Sequence, residues 1–332
     1  MSNWISDLHI QNFKSLRDVS LRCERINLFV GKPNVGKSNL LEALTLLGPD
    51  NLLGALFGNS VLRYEQQMAN LFYDQNFLEE EIKITTNLVE ATLKAEGGNF
   101  VYDLNKRSVG SVSASITPNG DVSEWNVPKE HSFNFTKRYQ FINNQTFSSI
   151  GNKIYLLPPH GQNLLNIIQT NKNFRQIVSR LFEPYGLELL VDTQNQRLEV
   201  LKRQDGISFK TPFSLVADTL RRYIFHLAAI ESNRDTVLLF EEPEAHNYPP
   251  FITRLANDIL DSKTNQFFLA THSPFLFNTL VENAKDIAVF IIEYEDSRTS
   301  VRRLTDGDLS DILNYGLNIF THQELFADNA SF

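Results

Sequence analysis

The chain has 332 residues, 42% of them hydrophobic, and a formal net charge of −8 at pH 7. This acidic balance argues against a general polyanion-binding protein, and no apolar run approaches the roughly 18 residues that a transmembrane helix needs. The single cysteine, Cys23, excludes an intrachain disulfide and a cysteine zinc cluster. Met1 to Trp4 lack the basic and apolar regions of a signal peptide, so we expect a cytoplasmic protein that crosses no membrane.

A phosphate-binding loop is predicted near the start of the chain, where GKPNVGKS fits G-x-x-x-x-G-K-[ST]. The apolar run Ile26 to Val30 predicts a buried strand before the loop, and leucines at helical spacing predict a helix after it. Glycines at both ends let backbone N–H groups turn toward an anion. Lys37 would supply charge to the β- and γ-phosphates of ATP, and Ser38 a hydroxyl to Mg²⁺. The predicted ATP-binding residues are Gly31, Lys32, Pro33, Asn34, Val35, Gly36, Lys37, Ser38 and Asn39.

The region that follows the loop is expected to elaborate on this core. A helical piece is predicted over residues 50–80, and strand-like alternation prevails from Glu80 to about Phe147. A Pro-Asn-Gly turn within the alternating stretch is a hairpin signal. We therefore assign residues 50–150 to a β-rich elaboration.

The next stretch is expected to be mainly helical. Lys153 to Pro158 predicts one more strand, and apolar residues recur at helical spacing from Gln162 to Leu181. We assign residues 160–205 to a small helical insertion. No heptad run lasts three repeats, so the sequence predicts no coiled-coil arm.

Two carboxylates follow a second buried-type run, Val237 to Phe240. Such a run is typical of a parallel strand buried on both faces, and ligands bind at the carboxyl ends of these strands. We predict that Glu241 contributes to the Mg²⁺ site together with Ser38, and that Glu242 is the base that orients or deprotonates the attacking water. The alternative is a solvated acidic turn.

A third buried-type strand, Gln266 to Ala270, ends in Thr271-His272-Ser273-Pro274. At the end of this strand, His272 could reach a γ-phosphate and donate a hydrogen bond as a neutral imidazole. We predict a catalytic role for His272 beside Glu242; the alternative is an ordinary surface histidine.

Together these segments resemble the ABC-type ATPases of the SMC/RecF/OLD group, and within it the small AAA-family ATPases, often labelled AAA_15 or AAA_21, of bacterial phage-defence systems. The matching text is HIQNFKSLRDVSL, GKPNVGKSN, ADTLRRYIF, LLFEEPEAHNYPP and FFLATHSPFL. The resemblance implies an α/β fold, an ABC-type P-loop ATPase with a mixed sheet core, a flanking antiparallel sheet and the small helical insertion. It also implies that residues 1–332 form a single domain.

The resemblance also implies roles for individual residues. Lys37 and Ser38 correspond to Walker A residues, Glu241-Glu242 to the Walker B pair and His272 to the switch histidine. The stretch from Asn12 to Ser15 resembles strand-end residues that approach the nucleotide, which adds Lys14 to the predicted ATP site. Glu244-Ala245-His246 resembles a segment that crosses a dimer interface.

The sequence departs from the family pattern at the signature. ABC ATPases present an LSGGE-like segment to the γ-phosphate held by the opposite subunit, but Pro212 to Arg222 contains no glycine pair. We predict that Asp218 or Thr219 caps the following helix and that Arg221 or Arg222 supplies charge in trans, so Asp218, Thr219 and Arg221 are the candidate trans residues. The alternative is an amphipathic core helix with two exposed arginines.

Short basic clusters do not argue for DNA binding. We interpret each cluster as a solvated face, and this leaves DNA as a partner that the sequence neither requires nor excludes. The clusters are Lys137-Arg138, Lys202-Arg203, Arg221-Arg222 and Arg302-Arg303.

The tail after Pro274 is shorter than the nuclease domain that OLD-type enzymes append, so we expect a version of the family without that domain. A strand pair is predicted over Ile287 to Tyr294 and Ser300 to Leu304, followed by a helix from Leu309. We interpret the three acidic residues around Gly307, which are Asp306, Asp308 and Asp311, as N-terminal caps of that helix rather than as a metal cluster. We therefore expect no separate nuclease domain and place the effector on another polypeptide.

Two main functions are compatible with these features. The first is an ATP-hydrolysing switch in which homodimers, or larger assemblies of dimers, sandwich ATP between subunits and gate a separately encoded effector in anti-phage defence. The second is an ATP-binding scaffold with negligible hydrolysis, which the degenerate signature favours. A RecF-like DNA-repair ATPase is a further alternative. The missing LSGGE motif disfavours a transporter ATPase.

Overall fold

The computed structural model describes residues 4–48, 67–106, 110–126, 135–143, 147, 153–321 and 326. These residues form two compact units. The first unit contains the described residues of 1–138, 235–242 and 264–332, and the second contains those of 139–234 and 243–263. That the whole chain acts as one domain stays a prediction.

The regular elements are numbered in chain order through the described residues. The strands are β1 (Asp7–Phe13), β2 (Leu16–Arg22), β3 (Ile26–Val30), β4 (Ile82–Thr86), β5 (Val89–Glu96), β6 (Asn99–Lys106), β7 (Gly110–Ile116), β8 (Val122–Asn126), β9 (Thr136–Tyr139), β10 (Glu188–Asp192), β11 (Arg197–Gln204), β12 (Ile207–Pro212), β13 (Val237–Glu241), β14 (Gln266–Ala270), β15 (Ile287–Glu295) and β16 (Arg298–Arg303). The α-helices are α1 (Lys37–Thr45), α2 (Leu164–Thr170), α3 (Lys172–Arg180), α4 (Asp218–Ser232), α5 (Pro249–Asp261), α6 (Pro274–Asn283) and α7 (Asp306–Tyr315).

A mixed sheet carries the predicted site in the first unit. Its strand order through the described residues is β16-β15-β3-β14-β13-β9. The four strands β15, β3, β14 and β13 are parallel to one another, and β16 returns antiparallel to β15. Strands β3 and β14 are buried at every position, as expected for parallel strands covered on both faces. Because β3, β13 and β14 share one direction, their carboxyl ends meet at one edge.

An antiparallel sheet with the order β2-β1-β4-β5-β6-β7-β8 flanks this mixed sheet in the described part of the first unit. Buried and less buried positions alternate along β4, β5 and β6, so one face of this sheet packs into the core. Helix α1 contributes Leu40, Leu41 and Leu44 to the same core cluster, which also contains residues of both sheets. The predicted mixed sheet with a flanking antiparallel sheet is confirmed.

The predicted helical insertion over residues 160–205 is wrong in its second half. Helices α2 and α3 end at Arg180, and β10, β11 and β12 then form an antiparallel sheet in the second unit. The turn between β11 and β12 is Asp205-Gly206, with both residues at positive φ (52° and 78°). Asp-Gly at this two-residue position is a strong hairpin signal, and it outweighs the helical continuation that we predicted.

Lys153 to Pro158 is not a strand; Leu156 is buried there, and its backbone N–H bonds to the hydroxyl of Ser232 instead of to a neighbouring strand. Most of the helical piece predicted over 50–80 lies outside the described residues, and Met68–Leu71 and Tyr73–Gln75 form short 3-10 turns.

The predicted tail is confirmed in the described residues. Strands β15 and β16 pair as a hairpin, and α7 follows. The hydroxyl of Thr305 accepts from the backbone N–H of Asp308, whose carboxylate accepts from the backbone N–H of Thr305. This capping box confirms the capping interpretation for Asp308, and Asp306 lies in the first turn of the same helix. None of the helices in the described ranges combines the length and apolar character that spanning a membrane requires.

Candidate nucleotide-binding site

The phosphate-binding loop leaves β3 at Val30 and enters α1 at Lys37. Packing requires a glycine at both glycine positions of the loop. A Cβ on Gly31 would lie 2.3 Å from the backbone oxygen of Ile292, and one on Gly36 would lie 2.2 Å from Oγ1 of Thr299. Gly36 also has a φ of 105°, which side chains rarely tolerate. The loop therefore packs closely against the β15–β16 hairpin.

A cavity of about 520 Å³ opens in front of this loop. It brings together residues that we predicted from four separate segments of the sequence. Of the predicted loop residues, Gly31 and Val35 are buried behind the cavity and Lys32 is exposed beside it. The lining residues are Lys14, Pro33, Asn34, Gly36, Lys37, Ser38, Asn39, Glu242 and His272.

Lys37 is the buried cation of the loop. Its Nζ donates to the backbone oxygens of Gly31 (2.8 Å) and Lys32 (2.7 Å). Burial lowers the pKa of Lys37, and the negative charges of Glu242 and Glu241 oppose that shift. An ammonium that is partly desolvated and held by two carbonyl groups is well suited to contact an anionic phosphate in the cavity.

Glu241 joins the loop to β13. The Ser38 hydroxyl donates a hydrogen bond to Oε1 of Glu241. The pairing places a hydroxyl and a carboxylate oxygen side by side, and these hard oxygen donors are the ligands that Mg²⁺ prefers. The two residues predicted as metal ligands thus meet, although they are 203 positions apart.

A buried ionic cluster supports Glu241 from behind. Nη2 of Arg138 lies 2.5 Å from Oε2 of Glu241, and Nη1 lies 3.9 Å from Oε1 of Glu42. Oε2 of Glu42 is in turn 2.7 Å from Nζ of Lys14. We call these four residues the Arg138 cluster. It corrects our assignment of Lys137-Arg138 to a solvated face, because β9 buries both side chains within the sheet.

Glu42 and Arg138 are functional candidates that the sequence interpretation missed. Glu42 interrupts the leucines of α1, and a carboxylate on the buried face of a helix needs a cationic partner. That interruption was the available signal for Glu42. Arg138 offered a weaker signal, a basic pair inside a short strand.

Glu242 and His272 lie at the ends of β13 and β14. The backbone N–H of Glu242 bonds to the oxygen of Ala270 (2.8 Å), and its φ of 44° places a non-glycine residue in the left-handed region. Such strain is concentrated at functional sites. Oε1 of Glu242 is 3.7 Å from Nε2 of His272, and the Glu242 side chain is 52% exposed. Burial lowers the pKa of His272, the charge of Lys37 lowers it further, and Glu242 opposes both.

Lys14 reaches the cavity from the turn between β1 and β2. Its φ is 49°, and its backbone N–H donates to the oxygen of Leu71 (2.8 Å). Its ammonium is shared between the cavity lining and Glu42. The structure therefore places Lys14 where the resemblance predicted it.

The candidate signature residues belong to the second unit. Ala217 occupies the N-cap position of α4, so the prediction that Asp218 or Thr219 caps this helix is wrong. Asp218 instead accepts from Arg221 (3.1 Å) and Arg222 (2.7 Å). The hydroxyl of Thr219 donates to the oxygen of His246 (3.2 Å).

The two arginines of this segment are not the exposed pair of our alternative interpretation. Arg221 also donates to the backbone oxygens of Val216 (3.0 Å) and Asn143 (2.9 Å). The guanidinium of Arg222 lies 4.7 Å from the ring centroid of Phe141. Both side chains are mostly buried among residues of their own unit. Action in trans stays a prediction.

The comparisons with known proteins agree with this geometry. A family model described as "AAA domain, putative AbiEii toxin, Type IV TA system" matches residues 26–278. The SMC head domain with an extended coiled coil, bound to the C-terminal domain of ScpA and derived from Pyrococcus furiosus, is 15% identical with a TM-score of 0.52, over 94% of this chain and 99% of that chain. An SMC head bound to the C-winged helix domain of ScpA is 15% identical with a TM-score of 0.50, over 91% and 98%. No curated protein sequence matches this chain.

The chain shares the fold of these SMC heads, an ABC-type P-loop fold. Because the family model covers more than half of the chain, the chain belongs to that AAA family. The predicted family resemblance and fold class are confirmed. Membership of an AAA family supports ATP binding by this chain.

Proposed function

We propose that this chain binds ATP with Mg²⁺ at the cavity and hydrolyses it to ADP and phosphate. The supporting observation is the convergence of Lys37, Glu242 and His272 with the Ser38–Glu241 pair around one cavity. The phosphate-binding loop follows β3, the two glutamates end β13 and His272 follows β14, so three neighbouring parallel strands deliver the set to one edge. Ligands bind at such edges in α/β sheets.

Each residue has a distinct role in this proposal. Lys37 and the N-terminus of α1 hold the phosphates. Ser38 and Glu241 would hold Mg²⁺, which when bound would neutralise charge on the phosphate oxygens. Glu242 orients the attacking water and takes its proton, because it is the half-exposed carboxylate at the cavity. His272 donates a hydrogen bond toward the γ-phosphate as a neutral imidazole, a form that its lowered pKa favours.

We further propose that hydrolysis operates a switch with its output on another protein. In this proposal two subunits sandwich ATP, the segment from Ala217 to Arg222 faces the partner's nucleotide, and the assembly gates a separately encoded effector. The family description names a toxin of a type IV TA system, which supports a role in defence against phage. The SMC heads of similar fold are bound to ScpA in their crystals, which supports a protein partner.

An ATP-binding scaffold with negligible hydrolysis is the second candidate. The observation that favours it is the signature segment, which has no glycine pair and whose Asp218 and Arg221 bind groups of their own unit. A segment fixed in this way has fewer groups to offer to a second nucleotide. Binding of ATP without turnover would then be the whole activity.

Steady-state ATP turnover of the wild type and of Glu242→Gln separates these candidates. Loss of a general base slows chemistry by about 100-fold or more. We therefore expect Glu242→Gln to turn over ATP about 100-fold more slowly than the wild type or slower still, with an equal affinity for ATP. Glu96→Gln, an exposed glutamate of the first unit, is the matched control and should turn over like the wild type. If wild type and Glu242→Gln bind ATP but turn over equally slowly, alone and with duplex DNA added, hydrolysis is excluded and the scaffold function stands.

A further inference from the structure

A chain of hydrogen bonds runs behind the phosphate-binding loop and ends on one of its carbonyl groups. Nδ2 of Asn39 lies 2.7 Å from Oγ of Ser15, which lies 2.7 Å from Oγ1 of Thr299. Oγ1 of Thr299 lies 2.8 Å from the backbone oxygen of Val35. We call these four residues the Thr299 relay. Asn39 and Val35 belong to the predicted ATP-binding loop, Ser15 lies in the stretch that resembles nucleotide-approaching residues, and Thr299 has no predicted role.

All the hydrogen bonds of the Thr299 relay run in one direction, from the amide of Asn39 to the carbonyl of Val35. The amide nitrogen of Asn39 is a donor and the carbonyl oxygen of Val35 is an acceptor. The Asn39 amide donates to Ser15, and Thr299 donates to Val35. The hydroxyl of Ser15 therefore donates its proton to Oγ1 of Thr299. Every hydroxyl in the relay donates once and accepts once, so removing either hydroxyl leaves a neighbour without its partner.

Three separate elements contribute to the relay. Asn39 belongs to α1, Ser15 to the turn between β1 and β2, and Thr299 to β16. The backbone N–H of Thr299 also donates to the oxygen of Ser15 (2.8 Å), which fixes the strand against the turn. The two-residue turn Asp296-Ser297, with both φ values positive (50° and 62°), sets the register of β16.

The relay controls which way the loop presents its backbone. A carbonyl oxygen that pointed into the cavity would repel a phosphate, whereas N–H groups attract it. Thr299 holds the oxygen of Val35 toward the buried side of the loop, where Thr299 is only 3% exposed. Gly36 follows immediately, and its missing Cβ leaves room for Oγ1 of Thr299. Thr299 thus touches the loop and not the cavity.

We infer that Thr299 is a positioning residue for nucleotide binding, and that the β15–β16 hairpin sets the affinity of the loop for ATP. The inference rests on the proposed ATP site and assigns a cause for its geometry. A role in folding alone would predict a loss of thermal stability without a specific loss of ATP affinity. The hydroxyl of Thr299, rather than its bulk, is the group that carries the function.

The test compares Thr299→Val, which keeps the shape and removes the hydroxyl, with Thr299→Ser, which keeps the hydroxyl. We expect Thr299→Val to raise the Kd for ATP about tenfold, the effect of one lost hydrogen bond to a buried carbonyl. Thr299→Ser should remain within about twofold of the wild type. In both variants kcat at saturating ATP should change less than KM does, because Glu242 and His272 are untouched.

Thr86→Val is the matched control. Thr86 is a buried threonine of the first unit whose hydroxyl donates to the oxygen of Val89 (2.9 Å). It should lose thermal stability like Thr299→Val but bind ATP like the wild type. If Thr299→Val does not fold, Ser15→Ala interrupts the same relay at a less buried position and should show the same rise in Kd.

The outcomes separate this inference from the proposed function. Wild-type ATP affinity in Thr299→Val or Ser15→Ala overturns the positioning role and leaves the ATPase proposal standing. Equal losses of affinity in Thr86→Val and Thr299→Val also overturn it, because the effect is then one of stability. Failure of the wild type to bind ATP overturns both.

Discussion

The guanidinium of Arg138 lies 2.5 Å from the carboxylate of Glu241, so that one oxygen of Glu241 faces Arg138 while the other accepts from Ser38. Arg138 is only 2% exposed and also approaches Glu42, which pairs with Lys14. Two cations and two carboxylates therefore balance each other within the Arg138 cluster. The carboxylate assigned to Mg²⁺ is held from behind by a charge that cannot reorient into solvent.

Replacing Arg138 by Met should destabilise the protein by about 3 kcal/mol, because removing one partner of a buried ion pair leaves uncompensated charge. Urea denaturation of the wild type and of Arg138→Met measures the difference in the free energy of unfolding. Arg303→Met is the control, since Arg303 makes a partly exposed pair with Glu24 (3.0 Å) and such pairs contribute less than about 1 kcal/mol. If Arg138→Met and Arg303→Met both lose the same small amount of free energy of unfolding, the Arg138 cluster contributes little to stability.

Replacing Lys37 by Ala should reduce ATP affinity about 100-fold or more, because the phosphates lose a partly desolvated cation. Lys94→Ala is the control, since it removes the same charge from an exposed position in β5. It should bind ATP within about threefold of the wild type. Titration with a fluorescent ATP analogue measures both, and an equal effect of the two variants would contradict the assignment of Lys37.

The sequence was sufficient for features that are encoded locally. The loop pattern, its flanking strand and helix, and the strand ends at Glu241 and His272 each lie within about a dozen residues, where periodicity and steric rules operate. The parallel sheet then brings these ends together, since parallel strands share one edge. The loop residues, Glu242 and His272 could be named for this reason, whereas Lys14 was predicted from the family resemblance.

The supporting residues could not be named, because they depend on pairing between distant segments. Thr299 reaches Val35 across 264 positions, and Arg138 reaches Glu241 across 103. Nothing local distinguishes Arg138 from a solvated basic pair until β9 takes its place beside β13 in the sheet. The β10–β12 sheet is a different case, because its Asp205-Gly206 turn is a local hairpin signal that the assignment of residues 160–205 to a helical insertion leaves out.

Replacing Gly31 by Ala should weaken ATP binding and lower the thermal midpoint. The new Cβ would lie 2.3 Å from the backbone oxygen of Ile292, and a backbone atom cannot move aside as a side-chain end can. Gly307→Ala is the control, since its Cβ meets nothing closer than 3.5 Å and it lies in the first turn of α7. That variant should gain up to about 1 kcal/mol from helix propensity. If Gly31→Ala leaves both the ATP affinity and the thermal midpoint unchanged, the loop does not pack against β15.

Replacing His272 by Ala should slow hydrolysis about 100-fold while leaving ATP affinity nearly unchanged, because the side chain is predicted to act on the γ-phosphate in the transition state. Single-turnover hydrolysis and ATP titration separate the two effects. His9→Ala, which removes an exposed histidine paired with Asp18 (2.6 Å), is the control. Equal losses of binding and turnover in His272→Ala would indicate a structural histidine.

The second unit contains a buried histidine that should make its stability depend on pH. Burial lowers the pKa of His226 to about 4, against an ordinary value of 6.5. Between these values the unfolded chain takes up a proton that the folded chain does not, so the free energy of unfolding falls as the pH falls from about 6.5 to about 4. The full effect of this shift is about 3 kcal/mol.

Asp258 opposes this effect in an overlapping window. Burial raises its pKa to about 6, although the hydrogen bond from Tyr223 (2.7 Å) lowers it. The folded chain then holds a proton that the unfolded chain releases, so the contribution of Asp258 is present at low pH and is lost as the pH rises through about 6. Asp258→Asn should therefore make the loss of stability on acidification steeper, and His226→Gln should make it shallower or reverse it. Urea denaturation at intervals between about pH 4 and pH 7 measures the slopes, and parallel curves for the wild type and His226→Gln would contradict the neutral, buried state of His226.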